Sequence, residues 1–485
     1  MSVQSAIVVG LIIYGCLMLG VSLFFMLRVK SASDYLLAGR GLPYWVLSGT
    51  IVGTCIGTGV VIGATGLAYK HGWAGCVYPL GLGIGTVLAG WWFAQMRRHD
   101  FMTLSEEIAC YYGGNRVVVE FSNVGLFLSQ LCWLTVQIMG GAAVLGVVTG
   151  LPREFSLLLS GAITAVISIP DGLKTVVYTD CLQAFILIGG FAVLAQMILG
   201  QPGGLAGLTA AVPPAYTSFL GVESIGAWKI VSLGVALVLG IIADPGRRLS
   251  MYSAISEGAA KWSMITAGLI VIVFSVVVGL VGMFAYKLNP NLAAADQALP
   301  WLVMNVPPPW MASLVVVSVA SAIFSSANGN AAAAGTFFVR HIFPLMMGRF
   351  PKKPLVVVRV ALIGVFIFAT AFGLFTGSIV SFVARFVPVT MSGLAVIIML
   401  GRFWKRATWQ GAFAALITSP VVSLAVMFVP SLTAIWGEPG IPAAIAGLLA
   451  HVVVSLVTPP PRHSFDEIVQ AMRRERQSIE GAVSH

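Results

Sequence analysis

Stretches of about 20 mostly apolar residues recur along this entire chain, separated by short loops that hold most of its charge. An element of that length and character crosses the hydrocarbon core of a bilayer, so the chain has lipid as its main solvent. Composition agrees. Of 485 residues 58% are hydrophobic and 9% charged, and the mean hydropathy is +0.96, whereas about a quarter of an ordinary globular protein is charged. The pattern predicts an all-α integral membrane protein of about thirteen transmembrane helices. They centre near residues 5–27, 44–68, 76–96, 118–149, 155–170, 175–199, 227–245, 262–286, 309–339, 355–375, 378–400, 411–432 and 439–458.

Lys and Arg set the orientation. Loops bearing Arg28, Lys30 and Arg40, then Arg97 and Arg98, then Arg247, Arg248 and Lys261, then Arg340, Arg349, Lys352 and Lys353, then Arg402, Lys405 and Arg406 alternate with loops holding only Lys70, Arg153, Lys229 and Lys287. The basic set belongs in the cytoplasm, which predicts the N-terminus outside and the C-terminus cytoplasmic. The net charge of +10 is then a topology signal, with no nucleic acid partner needed. The first apolar run follows uncharged MSVQSA and precedes RVK, the reverse of a cleavable signal peptide, and is expected to stay as an anchor. Cys16, Cys55, Cys76, Cys110, Cys132 and Cys181 show no paired spacing, so neither a disulfide framework nor a zinc site is expected. The tail after Pro459 is expected to be solvated, with a short charged helix from Ser464 to Ile479 as the alternative to disorder.

Two spans are interrupted. The second carries Gly49, Gly53, Gly57, Gly59, Gly63 and Gly66 with hydroxyls at Ser48, Thr50, Thr54 and Thr58. Close helix packing accounts for glycines four apart; so does a break near Gly53 to Gly57 whose freed carbonyls coordinate a cation. The seventh ends in GIIADPGRR, where Asp244, Pro245 and Gly246 stop the helix. Two interrupted helices of opposite direction, each opening a block of about five spans, point to a five-plus-five inverted-repeat transporter. The ninth span carries SAIFSSANGNAAAAG from Ser321 to Gly335. Ser325, Ser326 and the carbonyl of Ala322 one turn back can face one point, a neutral hard-oxygen half-site that carbonyls of Gly53 and Ile56 would complete. Serine pairs also serve helix packing and back-bonding, and the residues alone leave that open.

SDYLLAGRGLPYW (33–45), GLKTVVYTDCLQ (172–183), RRLSMYSA after the seventh span, ASAIFSSA (320–327) and GRFWKRATWQGA (401–412) resemble, in order, the solute:sodium symporter family of sodium-coupled carriers. The resemblance covers roughly residues 30–415 and implies thirteen spans with a five-plus-five, LeuT-like core. It implies domains of an N-terminal accessory helix and cytoplasmic loop (1–43), a first repeat (44–199), a second repeat (200–400), two peripheral helices (401–458) and a cytoplasmic tail (459–485). It implies Na+ as coupling ion, held by Gly53, Ile56, Ala322, Ser325 and Ser326, with Asp180 on the sodium exit path or at a second sodium site. Members with that second site carry hydroxyls where this chain has Asn328 and Gly329; the Asn328 amide oxygen is the ligand left there. Asp171 departs from the family's glycine, and an ion pair with Lys174 is its expected role.

The substrate is less legible. Sugar carriers of the family place amides where Val60 and Ile242 stand here, which argues against a sugar. Arg385 is the basic residue expected deepest in a span, either structurally paired or contacting a carboxylate-bearing solute. Thr58, Gln130, Gln137 and Ser381 are the other polar candidates for a central cavity, and Trp133 and Phe382 the stacking candidates. The expected protein is a plasma-membrane, multi-pass symporter, of the bacterial inner membrane, importing a small organic solute by alternating access. Its partners are that solute and membrane lipid, with no obligatory protein partner. A proton-coupled symporter and a transporter-like membrane sensor are the alternatives. No enzyme is expected, because His71, His99, His341, His451, His463 and His485 are scattered rather than clustered with acids or nucleophiles.

Overall fold

The computed structural model describes residues 2–26, 40–169, 173–461 and 463–483. Asp171, most of the DYLLAGR motif and the side chain of Lys174 lie outside the described residues, and with them the expected Asp171–Lys174 pair. Within them the chain is helical, and the sole β-bridge joins Leu42 and Ala254.

Among the described residues ten helices are long and apolar enough to cross a membrane, and eleven if the bent pair Ala227–Ile242 and Pro245–Tyr252 forms one span. The remaining expected segments are shorter or interrupted. Tyr44–Cys55 is 12 residues, half a span, before a break. The helical run then resumes at Gly59 and continues with changes of pitch to His99, through two expected spans. Arg153–Ser168 has 16 residues, short for a perpendicular crossing.

Glycine lets backbones touch where the helices cross. A Cβ on Gly83 would stand 2.7 Å from the carbonyl oxygen of Gly268, and one on Gly268 2.7 Å from that of Gly83. The crossing fuses Val77–Phe93 to Glu257–Leu288 by packing, the main attraction available between helices in lipid. At the end of the chain bearing the basic loops, Leu42 N–H donates to Ser253 O at 3.2 Å and Ile255 N–H to Leu42 O at 3.0 Å. That rung ties the start of the first broken helix to the end of the second.

The tail is more ordered than the sequence suggests. Phe465–Val483 is helical, and Phe465 packs its ring on His99, Phe101 and Tyr111 with centroids 5.1, 6.3 and 5.4 Å away. Val469 is buried and Arg473 donates to the Arg98 carbonyl at 2.9 Å. One aromatic anchor and an amphipathic face suffice to dock a segment whose overall polarity reads as solvated.

Candidate functional site

The first helix break falls at Ile56 and Gly57, with Ile56 at φ −88° and ψ 59°. A helix that stops leaves its last carbonyls without partners. Here the ninth-span helix Pro309–Phe337 supplies them: Ser325 Oγ donates to the Gly53 carbonyl at 2.7 Å and Ser326 Oγ to the Thr54 carbonyl at 3.2 Å. Both serines and Ala322 are buried. Two glycines make the approach fit, since a Cβ on Gly57 would collide with Ser326 Oγ and one on Gly53 would lie 3.4 Å from Ser325 Oγ. Neutral hydroxyl and carbonyl oxygens therefore converge on the break, with Thr54 rather than Ile56 facing the second serine.

On the other side of the break, the new helix N-terminus needs acceptors for its N–H groups. Gln137 provides one, its Oε1 accepting from Thr58 N–H at 3.0 Å. Asp180 is fully buried, and its backbone carbonyl lies 2.9 Å from where a Cβ on Gly53 would stand. The Asn328 amide oxygen accepts from Ser168 Oγ at 2.5 Å, so it is already engaged.

The second break is built by Asp244, which caps the resumed helix by accepting from Gly246 N–H at 2.8 Å, and the two halves bend by 42°. Pro245 suits the first helical position because its missing N–H would have no partner there. Arg247 follows one residue later. It was expected in a basic cytoplasmic loop, but it is buried, because the helix resumes at once and its first turn faces the first break. Its guanidinium donates from Nη1 to Thr54 Oγ1 and holds Nε 3.7 Å from Asp244 Oδ2.

Between the two breaks lies a cavity of about 30 Å³, lined among others by Thr54, Gly57, Tyr78, Trp133, Gln137, Asp244, Arg247 and Asn330. Thr58 is buried beside it with its hydroxyl unpartnered among the described residues. Gln130 is buried elsewhere on the same helix and donates to Ser129. Ser381 and Arg385 are exposed and line no part of this cavity. Arg385 instead acts on Glu438 in the loop before Gly440–Val457: burial pushes that carboxyl up, and Arg385 and then Lys229 draw it back. Helical phase explains the difference, for the buried face of Ile379–Phe403 carries Phe382, Val383 and Ala384 and turns Ser381 and Arg385 away. Sequence reading missed Arg247, Tyr78 and Asn330. The signal for Arg247 was present in the Asp-Pro-Gly break immediately before it.

A larger fissure of about 520 Å³ runs between Val3–Met26 and the helices carrying Val144, Ile163 and Ile323, and its walls are mostly aliphatic. It lacks the converging polar groups that mark a solute site.

Two discontinuous helices, neutral oxygens at one break and a polar cavity between the breaks are the architecture of a secondary transporter. Solved structures carry the fold. The chain superposes on a substrate-bound, outward-open Na+-coupled sialic acid symporter with a TM-score of 0.81 at 19% identity, covering 96% of this chain and 99% of that one. It matches MhsT in complex with L-phenylalanine with a TM-score of 0.57 at 13% identity, covering 85% and 97%. The model of the Sodium:solute symporter family matches residues 35–419, and the chain belongs to that family. The sodium/pantothenate symporter of Escherichia coli K12 is 22% identical over 471 residues, 93% of this chain and 96% of the relative. The sodium/glucose cotransporter of Vibrio parahaemolyticus is 25% identical over 448 residues, 83% and 80%. The protein is thus a multi-pass membrane symporter with Na+ as its coupling ion.

Proposed function

We propose that this protein imports a small organic solute across a plasma membrane by alternating access, through about thirteen spans of which ten form a five-plus-five inverted-repeat core, with the N-terminus outside. The observation that carries the reading is the pair of hydrogen bonds from Ser325 and Ser326 to the carbonyls of the first break. A monovalent cation bound there takes the oxygens of Ser325, Ser326, Ala322, Gly53 and the residues at the break as ligands. The serine hydroxyls then cease to donate to the carbonyls, and the ion bridges the two helices in their place. Sodium favours the arrangement that accepts solute and leaves past Asp180 once the bundle has rocked.

The test compares the thermal stability of detergent-purified protein in sodium and in potassium at equal ionic strength. A ligand at 100 times its dissociation constant stabilises by about 2.7 kcal/mol. Sodium-specific stabilisation lost in Ser325→Ala/Ser326→Ala is the expected result. Equal behaviour in both salts, together with no sodium-driven uptake in vesicles, would sink the proposal.

A further inference from the structure

We infer that Arg247 receives the carboxylate of the transported solute and that Thr54 links this event to the sodium site. The inference rests on the transport reading above. A guanidinium inside the membrane is costly and marks function unless it is fully paired. Arg248, the next residue, is held by a carboxylate at hydrogen-bond length: its Nη1 meets both oxygens of Glu107 at 3.1 and 3.2 Å, although its Nε is without a partner among the described residues. Arg247 is not. It is 7% exposed, its one hydrogen bond goes to the neutral hydroxyl of Thr54, and its Nε is buried with no hydrogen-bond partner among the described residues. Asp244 stands 3.7 Å from Nε, beyond hydrogen-bond length, while its other oxygen is held by the Gly246 N–H.

The surrounding groups ask for an acceptor as well. Tyr78 OH and Trp133 Nε1 belong to residues lining the same cavity, and both are buried without a hydrogen-bond partner among the described residues. Indole N–H can only donate, and the guanidinium has five donors and no acceptor. A carboxylate satisfies this set, because its two oxygens match the planar fork of Arg in a bidentate pair. A neutral polyol would leave Arg247 with Asp244 at 3.7 Å as its nearest carboxylate and no bidentate partner. The cavity's volume of about 30 Å³ holds about two or three waters, too little for an organic acid. The solute therefore enters only when the two broken helices part.

Thr54 joins the two ligands. Its hydroxyl accepts from Arg247 and its carbonyl accepts from Ser326. A carboxylate that draws Arg247 into a bidentate pair releases one side of Thr54, and sodium taking Ser326 releases the other. Each ligand thus eases the change the other requires, and such coupling is reciprocal.

The experiment uses full-length protein in detergent and reads thermal stability and Trp fluorescence in sodium. The probes are lactate, pyruvate and pantothenate, each beside its neutral counterpart lactamide, pyruvamide or panthenol, at about 10 mM, tenfold above a millimolar dissociation constant. At least one acid is expected to bind and to lower the sodium concentration for half-maximal stabilisation, with no response to the neutral partners. Arg247→Gln is expected to weaken the acid at least about tenfold and Arg247→Lys by less, since Lys keeps the charge but loses the fork. Thr54→Val is expected to bind both ligands while the acid no longer shifts the sodium midpoint. A neutral counterpart bound as well as its acid, an unchanged acid affinity in either Arg247 variant, or no acid response beside a clear sodium response overturns the assignment and leaves sodium transport standing. Absence of any sodium response in the wild type, together with no sodium-driven uptake in vesicles, removes the transport reading and this assignment together.

Discussion

Two buried polar clusters brace the broken helices, and they are built on opposite principles. At the first break, Ser325 and Ser326 donate to carbonyls of Gly53 and Thr54, and these four groups are neutral. Near the basic loops, Glu107 accepts from Arg248, from Tyr111 OH at 2.8 Å and from Tyr252 OH, while the Arg248 guanidinium also stacks 3.7 Å over the Phe93 ring. In the charged cluster the protein's own carboxylate and guanidinium neutralise each other. The neutral one satisfies its helix end and still offers oxygens to an ion without having to neutralise an internal charge first. Mutual neutralisation makes a lock, and a neutral surplus of oxygens makes a site.

The contrast is broken most forcefully at Glu107. Glu107→Gln leaves Arg248 buried and uncompensated, which costs about 3–5 kcal/mol. A large drop in melting temperature, equal in sodium and potassium, is expected in a thermal scan. Gln137→Leu comes next, because it strips the Thr58 N–H of its acceptor at the cost of a buried unsatisfied donor, about 1–3 kcal/mol. It should also shift the sodium midpoint, which Glu107→Gln should not. Ser325→Ala measured in potassium alone is expected to cost only about 0.6 kcal/mol, the average for a side-chain hydrogen bond between membrane helices. A loss several times larger in the absence of sodium would make the serine pair a structural clamp.

The smallest effect concerns Asp296, in the loop before Ala298–Asn305, which accepts from Ile379 N–H at 3.0 Å. Burial raises its carboxyl above the ordinary 3.8, with the Ile379 bond, Lys70 and Arg153 pulling it back. A carboxyl raised on folding binds protons more tightly in the folded state, so its contribution is fully present below pH 3.8 and falls away as pH rises through the folded value. Asp296→Asn should remove that slope from the stability profile above pH 3.8 while keeping the bond to Ile379. An unchanged profile would leave Asp296 outside the balance of charge at that end of the molecule.

The sequence carries the membrane class and the breaks because both are local. Apolar length marks a span, and Gly53 to Gly57 and Asp244-Pro245-Gly246 mark interruptions within a few residues. The serine pair was legible through its motif, and its carbonyl partners were placed within one or two residues. Helical phase and depth were not legible. Arg385 looked deep because its span begins at Ser378, yet its face turns outward. Arg247 looked exposed because it follows a break in a basic run, yet the bend of 42° carries it into the interior. A side chain's direction after a kink depends on two or three dihedral angles that composition does not encode.

The backbone rung between Leu42 and the Ser253–Ile255 segment also has mechanical meaning. It couples the ends of two discontinuous helices like a tie rod between two levers. Because it is made of main-chain groups, side-chain drift leaves the connection intact, and neither lever swings without loading the other. Any swing of these helices is therefore a paired movement, with the glycine seam between Gly83 and Gly268 as the stiff frame beside it.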